Sequence, residues 1–193
     1  MKKSLNNQYF ILRHGRVDQQ IKRKEFIYNW PDIPSVKLTK AGIDQIKKAA
    51  KILKKERIDL IYSSDIYRTR QTALIVANEL GLKIKFDKRL RDINLGIYHG
   101  KLRKEFFQDF PLSIKRFTQR PTRGENWNDV KKRLSGFLKE VEKKHKNKNI
   151  LIIGHGDPLW LLEGIIKGFS NGRLLRELSR GNYIKKGGLR KVV

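Results

Sequence analysis

A chain of 193 residues in which 38% are hydrophobic has apolar surface enough for one domain of ordinary size, spanning residues 1–193. It contains no cysteine, which excludes disulfides, zinc–thiolate sites and cysteine-nucleophile phosphatases. Its 45 Lys and Arg against 19 Asp and Glu give a net charge of +26, a balance suited to polyanions. The cations are spread over predicted helices and loops, with no interleaved aromatics to stack on bases, so they read as solvated surface that steers small anions. No specific nucleic-acid site is expected. Met1–Asn7 has basic residues with no apolar run behind them, and no segment reaches membrane-spanning length, so neither signal peptide nor membrane contact is expected and the protein is read as cytoplasmic.

The first predicted element, Tyr9–Leu12, is an apolar run short enough to be a buried strand, and it ends abruptly in Arg13, His14 and Gly15. In an open α/β sheet the ligand lies beyond the carboxyl ends of the strands, so these three residues would face it. His14 can attack phosphorus through one ring nitrogen when a hydrogen bond holds the other, and Arg13 can fork two phosphate oxygens. Gly15 lets the backbone turn and approach closely. Taken alone, a histidine beside an arginine is more simply a satisfied strand-end histidine. Residues 16–35, with Trp30-Pro31 and Ile33-Pro34, read as a flap over the site. Thr39 caps a helix over 40–56 whose apolar face holds Ile43, Ile46, Ala50 and Leu53. Asp59–Ser64 is a second short buried strand, ending in hydroxyls. Ser64 or Asp65 then caps a helix that runs through Ile66, Ala73, Val76, Ala77 and Leu80 to Gly81. Arg68 falls in its first turn, where the helix dipole favours an anion, whereas Arg70 reads as surface.

Lys83–Phe86 alternates as an edge-like strand, and Leu90–Gly96 presents Asp92 among apolar neighbours as a candidate general acid. Residues 101–123, with Phe106, Phe107, Phe110 and Phe117, read as a helical insert. Gly124-Glu125-Asn126 opens a helix with Val130, Leu134, Phe137, Leu138 and Val141 on one face. Asn149–Gly154 repeats the opening pattern, an apolar strand ending in His155 and Gly156. Asp157 supplies a cap and Pro158 a first-turn proline for a helix through Leu159, Leu162, Ile165 and Ile166. Gly181–Ile184 offers at most one more short strand.

Two histidines and two arginines at strand and helix ends, with a carboxylate nearby, are the parts a phosphoryl transfer needs. Fixed cations stabilise the charge on the equatorial oxygens, one neutral imidazole attacks, and a carboxylic acid protonates the leaving alkoxide and then activates water. Leu12-Arg13-His14-Gly15, Ser63-Ser64-Asp65 through Arg68 to Gln71-Thr72-Ala73, Leu90–Gly96 with Gly100, Gly124-Glu125 and His155-Gly156 resemble the successive motifs of the histidine phosphatase superfamily, in the branch with the cofactor-dependent phosphoglycerate mutases. The similarity covers roughly residues 8–184. It implies a three-layer α/β/α sandwich with a mostly parallel central sheet, no metal or other cofactor, and a phosphohistidine intermediate. By position it implies that His14 is the nucleophile and that Asp92 is the acid and base. His155 joins Arg13, Arg68, Gly156 and Gln20 around the phosphate.

Several positions depart from the family pattern. Asp92 stands where Glu is usual and sets the carboxyl back by one carbon. Asp157, where a second Gly is common, is the alternative acid, with helix capping as its simpler role. Arg16-Val17 replaces the usual residues after the triplet, and Gln20 stands where Asn often touches phosphate. His99 replaces a common Glu and reads as wall or surface. The compact chain favours a phosphatase acting on a small anionic phosphorylated metabolite, and a basic flap with Arg16, Lys22, Arg23 and Lys24 hints at further negative charge on that molecule. Mutase-type transfer and a weakly active phosphate-binding or regulatory protein are the alternatives.

Overall fold

The two strands that end in His-Gly are neighbours in the sheet. In a computed structural model of the chain, which describes residues 5–18, 23–30 and 36–193, β1 (Gln8–Arg13) pairs in parallel with β4 (Asn149–Gly154), Gln8 opposite Asn149 and Arg13 opposite Gly154. β2 (Leu60–Ser63) flanks β4, and β3 (Ile84–Phe86) flanks β2, both in parallel. β5 (Leu189–Lys191) runs antiparallel to β1 at the other edge, giving the order β3-β2-β4-β1-β5. Tyr9–Leu12 and Ile150–Ile153 are all buried, as strands covered on both faces must be.

Alternation along these strands divides the core in two. Tyr9, Ile11, Ile150 and Ile152 face α4 (Trp127–Lys144) and α5 (Gly156–Lys167), meeting Val130, Leu134, Phe137, Leu159 and Leu162. Phe10, Leu12, Leu151 and Ile153 face α1 (Lys40–Lys55) and α2 (Tyr67–Leu80), meeting Ile46, Leu53, Ala73 and Val76. The result is an α/β/α sandwich with a mostly parallel sheet. Local signals explain the helix ends: Thr39 accepts from the Gly42 N–H, Asn126 and Asp129 form a reciprocal capping box, and Gly81 closes α2 with φ +67°. Close approach explains Gly15 and Gly42. A Cβ on Gly42 would lie 2.1 Å from the Arg16 carbonyl oxygen, and one on Gly15 would lie 2.6 Å from the Gly42 carbonyl oxygen. The loop after β1 therefore rests directly on the start of α1.

Three readings of the sequence are corrected, and one helix is added. Neither Ser64 nor Asp65 caps α2. Ile66 holds that position without a side-chain cap, because the tight turn after β2 sends the Ser64 hydroxyl to His155 and the Asp65 carboxylate to Arg91. Asp157 does not cap α5 either; His155, in extended conformation, occupies the cap and Asp157 points elsewhere. Gly181–Ile184 is not a strand, since the edge pairing with β1 falls to Leu189–Lys191. Residues 171–179 form a helix, α6 (Asn171–Ser179), whose N-terminus Ser170 caps. Within 101–123 lie α3 (Arg103–Asp109) and a 3-10 turn at Ile114–Phe117, with Phe106 and Phe117 buried. No helix among the described residues is long and apolar enough to cross a membrane.

Candidate active site

The parallel register brings His14 and His155 together just past their strands. The His14 N–H donates to the Gly154 carbonyl at 3.1 Å, and the two imidazoles lie 5.5 Å apart, tilted by 58°. Both rings are buried. Nδ1 of His14 lies 2.9 Å from its neighbour's carbonyl, that of Gly15, which can only accept. Nδ1 therefore carries the proton and Nε2 keeps its lone pair. Burial, and next the Arg68 guanidinium, hold both imidazoles well below the usual histidine range, with Arg13 acting in the same direction. Both are neutral at pH 7.

His155 is oriented through Nε2, 2.9 Å from Ser64 Oγ. Its Nδ1 is buried with no hydrogen-bond partner among the described residues, 3.6 Å from Asp92 Oδ2. Nε of Arg13 is likewise buried and unpartnered, while its Nη1 donates to the Ile184 carbonyl at 2.9 Å and its guanidinium lies over the Tyr183 ring. A buried guanidinium N–H and a buried imidazole nitrogen, both without a hydrogen-bond partner among the described residues, fit a site that takes an anion. Arg68 is 1% exposed, lies over Tyr28 and donates from Nη2 to Asp92 Oδ2 at 2.9 Å. Gly156 has the space of a close contact: a Cβ there would lie 2.1 Å from the Tyr183 hydroxyl and 3.0 Å from Arg13 Cζ.

Asp92 reaches the site but arrives paired with Arg68, and its Oδ1 accepts from the Ile93 N–H at 3.0 Å. Its backbone is clamped by Arg133, which donates from Nη2 to the Asp92 carbonyl at 3.1 Å and is itself held by Glu125. Asp157 is more fully engaged, accepting from Trp127 Nε1 at 3.0 Å and from the Tyr183 hydroxyl at 2.6 Å, with Arg116 at 3.7 Å. Burial, and then Asp157, hold the Tyr183 hydroxyl well above its usual range. His99 is a wall residue: its Nε2 accepts from the Leu95 N–H at 2.8 Å, its Nδ1 meets the Tyr28 carbonyl, and Trp30 stacks on it. Arg70 lies exposed at the surface, as expected. Gln20 and Lys22 lie outside the described residues.

A cavity of about 900 Å³ adjoins the site, although the two buried histidines are not themselves among its lining residues. Arg13, Arg68, Asp92 and Gly156 line it together with aromatic residues of the flap and of the 101–123 segment, Tyr28, Trp30, Phe106 and Phe107 among them. Sequence reasoning missed Tyr183, Arg116 and Lys186, which line it too. For Lys186 the neighbouring Gly187-Gly188 was a turn signal; for Tyr183 and Arg116 no local pattern pointed inward. Among the described residues no cluster of three or more His, Asp or Glu side chains is arranged to hold a metal ion.

The chain is 33% identical over 127 residues to phosphoserine phosphatase 1 of Hydrogenobacter thermophilus, a match covering 63% of this chain and 60% of that protein. It is 32% identical over 154 residues to phosphoglycerate mutase-like protein 4 of Arabidopsis thaliana, covering 76% and 65%. The chain thus spans less than two thirds of these relatives. The fold matches the structure of a mycobacterial glucosyl-3-phosphoglycerate phosphatase in complex with VO3, at a TM-score of 0.81 and 22% identity, covering 95% of this chain and 90% of that one. Residues 9–180 match the model of the histidine phosphatase superfamily, branch 1, and the chain belongs to that family.

Proposed function

We propose that this protein is a phosphatase that hydrolyses a small phosphomonoester through a phosphohistidine on His14. The observation that carries this reading is His14 itself: buried, neutral, its Nδ1 bound to a carbonyl, and set beside His155, Arg13 and Arg68. The similarity to a phosphoserine phosphatase supports hydrolysis.

Each step then has a residue. The phosphoryl group binds between Arg13, Arg68 and His155, whose cationic and N–H groups match the charge that spreads over its oxygens. An arriving phosphomonoester monoanion takes Arg68 as its partner and passes its proton to the Asp92 carboxylate released from that pair. Nε2 of His14 attacks phosphorus as the ester P–O bond breaks, and the Asp92 carboxyl gives its proton to the leaving oxygen. The Asp92 carboxylate then takes a proton from water, whose oxygen forms the new P–O bond as the P–N bond breaks. Phosphate leaves as the monoanion, carrying off the proton held on Asp92, and both side chains return to their starting forms. Asp157 is less suited to this, because its oxygens accept from Trp127 and Tyr183 rather than from a phosphate-binding arginine.

Phosphate release from a panel of phosphomonoesters, with a chelator present, tests the reading. Wild type should release phosphate and His14→Ala should not, and the ranking of esters identifies the preferred class. A second reading, phosphate binding with little turnover, draws on the Asp92–Arg68 ion pair at 2.9 Å. It predicts phosphate binding without release above the His14→Ala background.

A further inference from the structure

Apart from Arg116, which stands beside Asp157, four cations on the cavity wall have no part in the steps above. Arg16, Lys24, Arg103 and Lys186 line the same cavity as Arg13 and Arg68. Among the described residues none of the four is in an ion pair, whereas Asp65, Asp87, Glu125 and Asp129 each hold an arginine elsewhere. Two of them are firmly placed. Lys186 lies in a turn tied to the nucleophile's own backbone: the Gly187 N–H donates to the His14 carbonyl at 3.0 Å and the Arg13 N–H donates to the Gly188 carbonyl at 3.1 Å. The turn also packs on α1, since a Cβ on Gly187 would lie 2.9 Å from Gln45 Cβ. Arg103 opens α3 and joins it to the flap, its N–H donating to the Glu25 carbonyl at 2.7 Å and its Nε to the Lys24 carbonyl at 3.1 Å.

Burial, followed by Arg13, Arg103, Arg16 and Arg68, pushes the Lys186 amine down to about 8. The cavity's two carboxylates, Asp92 and Asp157, stand beside Arg68 and Arg116, so a wall on which Arg13, Arg16, Arg103 and Lys186 crowd one another favours a bound anion. We infer that Lys186 and Arg103 form a second anion subsite, so that the substrate is a phosphomonoester carrying a further carboxylate or phosphate on its leaving group. The assignment rests on the reading above, in which His14 marks the place of the phosphoryl group that is transferred. Trp30, stacked on His99, and Phe106 line the same cavity and offer apolar surface to the carbon skeleton.

Binding to the His14→Ala protein, which removes turnover, separates the two readings. Two matched pairs of probes differ only in the second anion: 3-phosphoglycerate against glycerol 3-phosphate, and glucose 1,6-bisphosphate against glucose 6-phosphate. The doubly anionic member of at least one pair should bind about tenfold tighter or more, the range expected for a charged hydrogen bond. The pair with the larger ratio tells a carboxylate from a phosphate. Adding Lys186→Ala, or separately Arg103→Ala, should bring that ratio toward one. The ratio should also fall as pH rises through about 8, where Lys186 loses its proton. Equal affinities within both pairs, or a ratio that survives both substitutions, would overturn the subsite. A preference in binding with no His14-dependent hydrolysis of any probe by wild type would leave the subsite standing and remove the phosphatase. Hydrolysis without the preference would do the reverse.

Discussion

His14 and His155 owe their chemistry to burial beside two arginines. Their folded-state proton affinities lie well below the usual histidine value of 6.5, whereas in the unfolded chain they return to it. The unfolded state therefore binds more protons below about pH 6.5, and stability falls as pH drops through that point. Each histidine contributes a slope of up to about 1.4 kcal/mol per pH unit, in a window that extends down to its own folded value. Denaturant midpoints between pH 7 and 5 should show this, and His14→Ala should flatten the slope; an unchanged slope would mean that His14 is not buried neutral. Asp92 sets the second expectation at this scale. Asp92→Asn should slow hydrolysis by roughly 10²–10⁴ and make the rate more dependent on leaving-group acidity, because the alkoxide then departs without a proton. Asp157→Asn should leave that dependence unchanged, and measuring both variants on aryl and alkyl phosphates separates the two carboxyls.

At the scale of elements, the strand ends were the legible part. The two His-Gly endings, the Thr39 cap and the apolar faces of α1 and α4 are local patterns, and the fold uses them as read. What local pattern did not carry is where three-dimensional neighbours decide. β5 is three residues long with two basic side chains, too short for a period, and forms only because β1 offers an open edge. Asp157 resembled a cap because it precedes Pro158, yet Trp127, Tyr183 and Arg116, remote in sequence, claim its carboxylate. α6 did carry a signal, Ser170 ahead of Leu174 and Leu178, but over little more than two turns. The glycine contacts give the element-scale prediction. Gly42→Ala places a methyl against the fixed Arg16 carbonyl, so the loop carrying the nucleophile must lift off α1. A loss of about 1–3 kcal/mol is expected, a drop in Tm of roughly 2–4 °C per kcal/mol, together with reduced activity. An unaltered Tm and rate would show that the loop does not rest on α1.

At the scale of the whole molecule the net charge of +26 acts beyond any one contact. Cations over the surface raise the local concentration of anions, and seven of them, Arg13, Arg16, Lys24, Arg68, Arg103, Arg116 and Lys186, line the cavity. Since the Debye length shortens from about 30 Å at 0.01 M salt to about 10 Å at 0.1 M, kcat/KM for a phosphorylated substrate should fall across that range while kcat changes little. Steady-state rates at two salt concentrations check this, and salt-independent kcat/KM would confine the charge to a solvating role. The sandwich itself was implied by the motifs and is what the sheet order and family match show. The basic cavity wall was foreshadowed only by the flap residues Arg16 and Lys24, because Arg103 and Lys186 come from elements far apart in the chain.

The phosphohistidine is the centre of the account, and it can be observed directly. Wild-type protein mixed with a hydrolysed phosphomonoester, quenched under alkaline conditions that preserve phosphohistidine and digested, should yield a peptide containing His14 with the mass of one added phosphoryl group. The added mass should disappear once the ester is consumed and be missing from His14→Ala. Phosphate release at full rate with no label on His14, or a label on His155 instead, would contradict the account.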